Sequence, residues 1–151
     1  MSATYQEFIR EKSQIRNENG FEPLWIPDFL FDFQKHLVEW SIRKGRAAIL
    51  ADCGLGKTIM QLVWAENVVR KTNRPVLVVT PLAVSQQTLR EAERFGIDAE
   101  VSRDGRFSKK VVITNYEWLQ HFDSSDFCGA VPDEAGILKK GRTAILAAQN
   151  E

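Results

Sequence analysis

Residues 49–60, ILADCGLGKTIM, decide how this chain is read. An apolar run leads in, glycines 54 and 56 interrupt it, and a lysine and a threonine open the next segment. A strand, a glycine-bearing turn and a helix in that order can turn backbone N–H groups inward as an anion nest. The positive end of the following helix adds to the same field. The phosphate-loop pattern G-x-x-x-x-G-K-[ST] falls on Ala51, Asp52, Cys53, Gly54, Leu55, Gly56, Lys57 and Thr58, with Ala51 in place of the first glycine. Gly54 and Gly56 give the backbone its freedom to bend. Cys53 to Thr58 would supply amide hydrogens, Lys57 would reach the β- and γ-phosphates, and Thr58 would ligate Mg²⁺. The plainer alternative is a glycine-rich turn with a surface lysine. Cys53 reads as a small loop residue, since no partner base can be assigned to it.

Working outward, strand-like and helix-like segments alternate. Asp32 is a plausible N-cap for the helix FQKHLVEWSIRK, which stops at Gly45 and groups Phe33, Leu37 and Trp40 on one face. RAAILA is a short buried strand, and residues 57–71 form a helix with Met60, Val63, Trp64 and Val68 near one face. PVLVVT (75–80) is a continuous β-branched run of the kind covered on both sides in a parallel sheet. A helix over 83–95 closes at Gly96. Strands follow at 99–101 and 111–114, then a helical turn YEWLQHF and a weak strand CGAV (128–131). GRTAILAAQ reads as a last helix. The class is α/β with a mostly parallel sheet. Upstream, residues 4–16 read as an amphipathic helix ended by NENG, and FEPLWIPDFLF as an aromatic segment broken by Pro23 and Pro27. The organisation expected is a helix and aromatic lead-in over 1–31 and the nucleotide-binding unit over 32–151, with no linker inside it.

Composition narrows the class further. The chain has 151 residues, 44% of them apolar, enough for one domain with a core. Lys and Arg number 20 against 20 Asp and Glu, which excludes a strongly basic tail but not a local basic groove. Cys53 and Cys128 make neither a disulfide framework nor a zinc spacing, so a reduced, cytoplasmic setting is expected. The charged start lacks the apolar core of a signal peptide, and no apolar run has the length of a membrane span. His36 and His121 lack metal-ligand spacing and read as surface or packing residues. The four tryptophans read as core residues, with stacking on bases as the lesser alternative.

A triphosphatase needs carboxylates at the tip of a second strand. AVPDEAG offers Asp133 and Glu134 behind the apolar CGAV. Asp133 would hold Mg²⁺ through its water shell, and Glu134 would orient or deprotonate the attacking water. An Asp-Glu pair is otherwise a common solvated turn.

From about Phe33 to Leu138 these segments resemble the first RecA-like lobe of superfamily 2 helicases and translocases, the DEAD/DEAH-box group. The nearest flavour is the Swi/Snf-like ATPases, including those of phages and prophages. AxxGxGKT is that group's phosphate loop, VLVVTPLAVSQQTLREAERFG resembles the segment after its second strand, VVITNYEWL the next strand, and DEAG the acidic box. The resemblance implies a three-layer α/β/α P-loop fold, ATP and Mg²⁺ as cofactors, and a DNA or RNA backbone as partner. It also implies that Gln34 reads the adenine edge, where composition alone would make it a solvated helix residue. Thr80, Pro81 and Leu82, and with them Thr114 and Asn115, match segments that meet the nucleic-acid backbone. RDGRFSKK (103–110) reads as a solvated basic loop, with lining of a nucleic-acid path as the alternative.

The chain departs from the group's pattern at two places. Pro132 stands where an aliphatic residue is usual in a central strand; lacking an N–H, it threatens to displace Asp133. After Glu134 the group's later strands and its second lobe, with the arginines that stabilise phosphoryl transfer, have no counterpart. The expectation is therefore a truncated ATP-binding lobe, weak or inactive in turnover alone, with a sheet edge or apolar face uncovered. Its partner would be a second lobe or a full-length helicase. The alternative is a non-catalytic module derived from a helicase that binds nucleic acid or protein. A kinase-like reading lacks any evident acceptor site or lid.

Overall fold

The computed structural model describes residues 20–49, 56–133 and 144–148. The expected helix at 4–16, the loop residues Ala51 to Leu55, and Glu134 lie outside them. In chain order the elements are α1 (Asp32–Lys44), β1 (Arg46–Ile49), α2 (Lys57–Thr72), β2 (Val76–Thr80), α3 (Ser85–Arg94), β3 (Ala99–Val101), β4 (Val111–Asn115), β5 (Gly129–Pro132) and β6 (Ala144–Ala148). Short 3₁₀ turns precede α3 and lie between β4 and β5.

The strands form one sheet in the order β1-β6-β5-β2-β4-β3. β2 runs parallel to both β4 and β5, and β3 runs parallel to β4, so the α/β class with its parallel sheet is established. β6 is antiparallel to both its neighbours. The last helix expected over GRTAILAAQ is thus corrected to a strand at Ala144–Ala148, inserted between β1 and β5. Alanine and leucine favour a helix in isolation, but the ladder positions offered by β1 and β5 satisfy this backbone from both sides.

β2 and β4 are buried along their whole length, as their unbroken apolar runs require. Their side chains alternate between two clusters. Val76, Val78, Val111 and Ile113 meet Val38 and Ile42 of α1, Met60, Leu62 and Val63 of α2, and Ala92 of α3. On the opposite face Leu77, Val79 and Val112 meet Phe127, with Phe107, Tyr116 and Phe122 against them. Among the described residues that second face carries the 116–127 loop, where a three-layer arrangement would place helices.

α1 differs from expectation at its start and in its facing. Its N-cap is Phe31, and Asp32 is the first helical residue. The buried stripe is Gln34, Val38, Ser41 and Ile42. Of Phe33, Leu37 and Trp40, grouped on one apolar face, Phe33 and Trp40 are each 43% exposed and only Leu37 packs against the core. The polar members of the stripe are tolerated because each finds a partner: Ser41 Oγ donates to Val38 O at 2.8 Å, and Gln34 Oε1 accepts from Phe31 N at 2.9 Å. The tryptophans divide accordingly. Trp64 is fully buried, Trp25 packs at the core margin and Trp40 faces outward.

The aromatic lead-in is tied to α2 by a wholly buried asparagine. Asn67 Oδ1 accepts from the N–H groups of Leu24 (2.8 Å) and Trp25 (2.9 Å), while its Nδ2 donates to Trp25 O and Val63 O, each at 2.8 Å. One side chain so imitates a strand partner for this extended segment. Asn67→Ala is expected to cost about 1–2 kcal/mol in urea denaturation and to raise protease cleavage near Trp25.

Candidate functional site

The C-terminal ends of β5, β2 and β4 open on one side of the sheet, the side where ligands gather in parallel α/β folds. Four elements meet there. α2 begins at Lys57 directly after Gly56, whose φ of 72° and ψ of 36° lie in the left-handed region that glycine adopts without strain. A Cβ at Gly56 would collide with the side-chain amide nitrogen of Gln34. That packs Gln34, only 5% exposed, against the turn that leads into α2. The glutamine expected to read adenine therefore lies beside the loop, with its carbonyl oxygen accepting at the start of α1.

β5 delivers Asp133. Pro132 pairs opposite Val79 and ends the strand, and the N–H of Asp133 continues the ladder to Val79 O at 2.7 Å. Successive backbone groups of a strand point to alternate sides. The N–H that Pro132 lacks would have faced β6, where pairing with β5 involves only Gly129 and Ala130. The proline consequently leaves the β2 ladder intact up to Asp133.

The carboxylate of Asp133 is nearly enclosed. Its Oδ1 lies 3.3 Å from Lys57 Nζ and accepts from Gln61 Nε2 at 3.1 Å. Its backbone oxygen accepts from the Tyr116 hydroxyl at 2.7 Å. Lys57 and Gln61 sit one helical turn apart on α2 and so present their side chains to the same point. The fold thus joins a lysine and an acid far apart in sequence. Thr58, the next residue of α2, is half-buried. A threonine hydroxyl and a carboxylate are hard oxygen donors of the kind Mg²⁺ takes, and among the described residues Oδ2 of Asp133 has no partner.

The residues expected to meet a nucleic acid divide by exposure. Thr80, Thr114 and Asn115 are wholly buried. Thr80 Oγ1 is 2.8 Å from Ser85 Oγ and donates to Pro81 O at 3.1 Å, bracing the turn after β2. Asn115 Oδ1 accepts from the N–H groups of Glu117 (2.9 Å) and Trp118 (3.1 Å), bracing the turn after β4. Pro81 is half-buried and Leu82 is 51% exposed, so the surface offered is the turn itself. The basic stretch also divides. Lys109 pairs with Asp98 at 2.9 Å, whose hydrogen bond and charge raise the lysine above its ordinary pKa. Lys110 is bonded to Asn73. Arg103 lies 4.9 Å over the ring of Trp118, on the C-terminal side of β3 and β4.

Sequence reasoning missed Gln61, Tyr116 and Asn67. The first carries a usable signal, a polar residue four positions after Lys57 on a helix otherwise apolar on that face. A second feature lies on the other side of Asp133. A groove of about 430 Å³ opens on the sheet face and is lined by Leu77, Val79, Tyr116, Phe122, Phe127 and Pro132 among others.

No family model matches the chain, and no curated protein is significantly similar to it. Among the described residues, no helix is long and apolar enough to cross a membrane.

Proposed function

We propose that this chain is an ATP-binding lobe of a nucleic-acid-dependent ATPase, of the superfamily 2 helicase or translocase kind. The observation that carries the reading is the meeting of Lys57 and Asp133 at the C-terminal ends of the parallel strands, directly behind the left-handed Gly56. In this reading residues 53–58 hold the phosphates, and Lys57 leaves Asp133 for the β- and γ-phosphates. Thr58 and, through a water shell, Asp133 would hold Mg²⁺ once the lysine has moved away, and Glu134 would orient the attacking water. Bound Mg²⁺ supplies charge neutralisation at the phosphates. Gln34, packed against Gly56, would report on the base. The exposed turn at Pro81 and Leu82, braced by Thr80, would meet a DNA or RNA backbone.

Calorimetry with Mg-ATP tests the reading, alongside an ATPase assay with and without DNA or RNA. Binding of Mg-ATP is the expected result. Absence of any nucleotide heat at millimolar ligand would overturn it.

The apolar groove beside Asp133 favours a second reading, a non-catalytic module that docks on another protein. Retention of a helicase partner by a chain that binds no nucleotide would select it.

A further inference from the structure

We infer that Gln61 is the positioning residue of the metal-side carboxylate, holding Asp133 in place while Lys57 is exchanged for a cation. This rests on the nucleotide-binding reading and adds a residue that the phosphate-loop and acidic-box patterns do not contain.

The argument begins with what nucleotide binding demands of Asp133. Its carboxylate is 6% exposed as a residue and has one cationic neighbour among the described residues, Lys57. Lys57 cannot serve both Asp133 and a triphosphate at full strength. As it turns to the phosphates, Asp133 loses its charge partner inside a nearly closed site, where an uncompensated charge is costly. An arriving cation restores the balance only if the carboxylate keeps its orientation through the exchange.

Three neutral contacts can keep it. The N–H of Asp133 is fixed to Val79 O and its carbonyl to the Tyr116 hydroxyl, but both act on the backbone. Of these three, Gln61 is the one that holds the side chain. Its Nε2 donates to Oδ1 at 3.1 Å from a residue only 2% exposed, so the amide is held by packing rather than by solvent. A neutral donor does not compete with an incoming cation for the charge. It occupies Oδ1 and leaves Oδ2, unpartnered among the described residues, as the oxygen directed to a metal's water shell. The i, i+4 spacing from Lys57 sets both donors on one helix face, so the departing and the permanent partner converge on one oxygen.

Gln61→Met keeps the length and approximate volume of the side chain but removes the donor. Nucleotide affinity is measured by calorimetry with ATP in excess Mg²⁺ and in EDTA, for wild type, Gln61→Met, Asp133→Asn and the double variant, with melting curves for each. The expected result is a roughly tenfold loss of the Mg²⁺-dependent gain in affinity for Gln61→Met. Affinity in EDTA should change less than about twofold, and adding Gln61→Met to Asp133→Asn should produce no further loss. A purely structural role would lower both affinities together. Should Gln61→Met fail to fold, Gln61→Asn, one methylene too short to reach Oδ1, carries the same comparison. Wild-type binding with an unchanged Mg²⁺-dependent gain in the variant overturns the positioning role alone. Failure of the wild type to bind Mg-ATP overturns the nucleotide reading, and the positioning role with it.

Discussion

Lys57→Met is expected to weaken Mg-ATP binding by about 100-fold or more and, without any ligand, to destabilise the protein by about 1–3 kcal/mol. The two losses have different origins. The first is removal of charge-assisted contacts to the phosphates, each worth a few kcal/mol when the donor is ionised. The second arises at Asp133. Its side chain is 9% exposed and that of Lys57 is 19% exposed. Removing one member of a buried pair strands the other charge and can cost 3–5 kcal/mol; the partial exposure of this lysine places the loss lower. Surface lysines behave differently, since exposed pairs contribute about 0–1 kcal/mol.

The two origins separate in the double variant. Adding Asp133→Asn to Lys57→Met removes the stranded charge, while the asparagine can still accept from Gln61. Stability in urea should return to within about 1 kcal/mol of the wild type, and Mg-ATP binding should not return at all. If Lys57→Met leaves stability unchanged, the contact at 3.3 Å contributes nothing to the folded state. If it leaves Mg-ATP affinity unchanged, the lysine is a surface residue of a glycine-rich turn and the nucleotide reading fails.

How far the sequence could lead depended on how many neighbours each segment answers to. VLVVT and VVIT are apolar at successive positions because both faces of these central strands are covered, and that demand is written in the segment itself. The helix after Gly56 was equally plain, from the glycine, the lysine and the spacing of Met60, Val63, Trp64 and Val68. α1 was harder. Phe33, Leu37 and Trp40 have helical spacing, yet so do Gln34, Val38, Ser41 and Ile42, and the second stripe is the buried one. Apolar periodicity chose the wrong stripe because two of the buried residues are polar and satisfied locally. Ala144–Ala148 misled for another reason: short apolar runs fit either period, and the deciding term is a slot between β1 and β5 that the segment does not encode alone. At the site, Lys57 and Asp133 were legible because phosphate chemistry restricts which residue types can serve. Gln61 was passed over, because its one cue, a polar position on an otherwise apolar helix face, does not by itself name a carboxylate partner. The burial of Thr80, Thr114 and Asn115 was hidden too, since a hydroxyl or amide at a strand end can brace a turn as readily as face a ligand.

Gly56 offers the second large effect, and the protein supplies its own control. Gly56→Ala is expected to cost about 2–4 kcal/mol and to lower Mg-ATP affinity by well over tenfold. Gly96, which follows α3, has nearly the same positive φ, 76° against 72°. An alanine in the left-handed region costs about 1–2 kcal/mol at either site. The surroundings differ. A Cβ at Gly96 would meet nothing within 4 Å, whereas one at Gly56 would collide with the buried amide of Gln34. Gln34 has little room to retreat, being 5% exposed and bonded to the N–H of Phe31; displacing it also removes the cap of α1. Gly96→Ala should therefore show the backbone cost alone and leave nucleotide affinity untouched. Gly56→Ala should show that cost plus the collision, and a second substitution, Gln34→Ala, should recover about 1 kcal/mol by vacating the space. Equal losses at the two glycines would mean that Gln34 does not press on the turn before Lys57. Full affinity in Gly56→Ala would mean that this turn does not cradle phosphate, since relieving the collision with Gln34 has to shift the backbone that leads into Lys57.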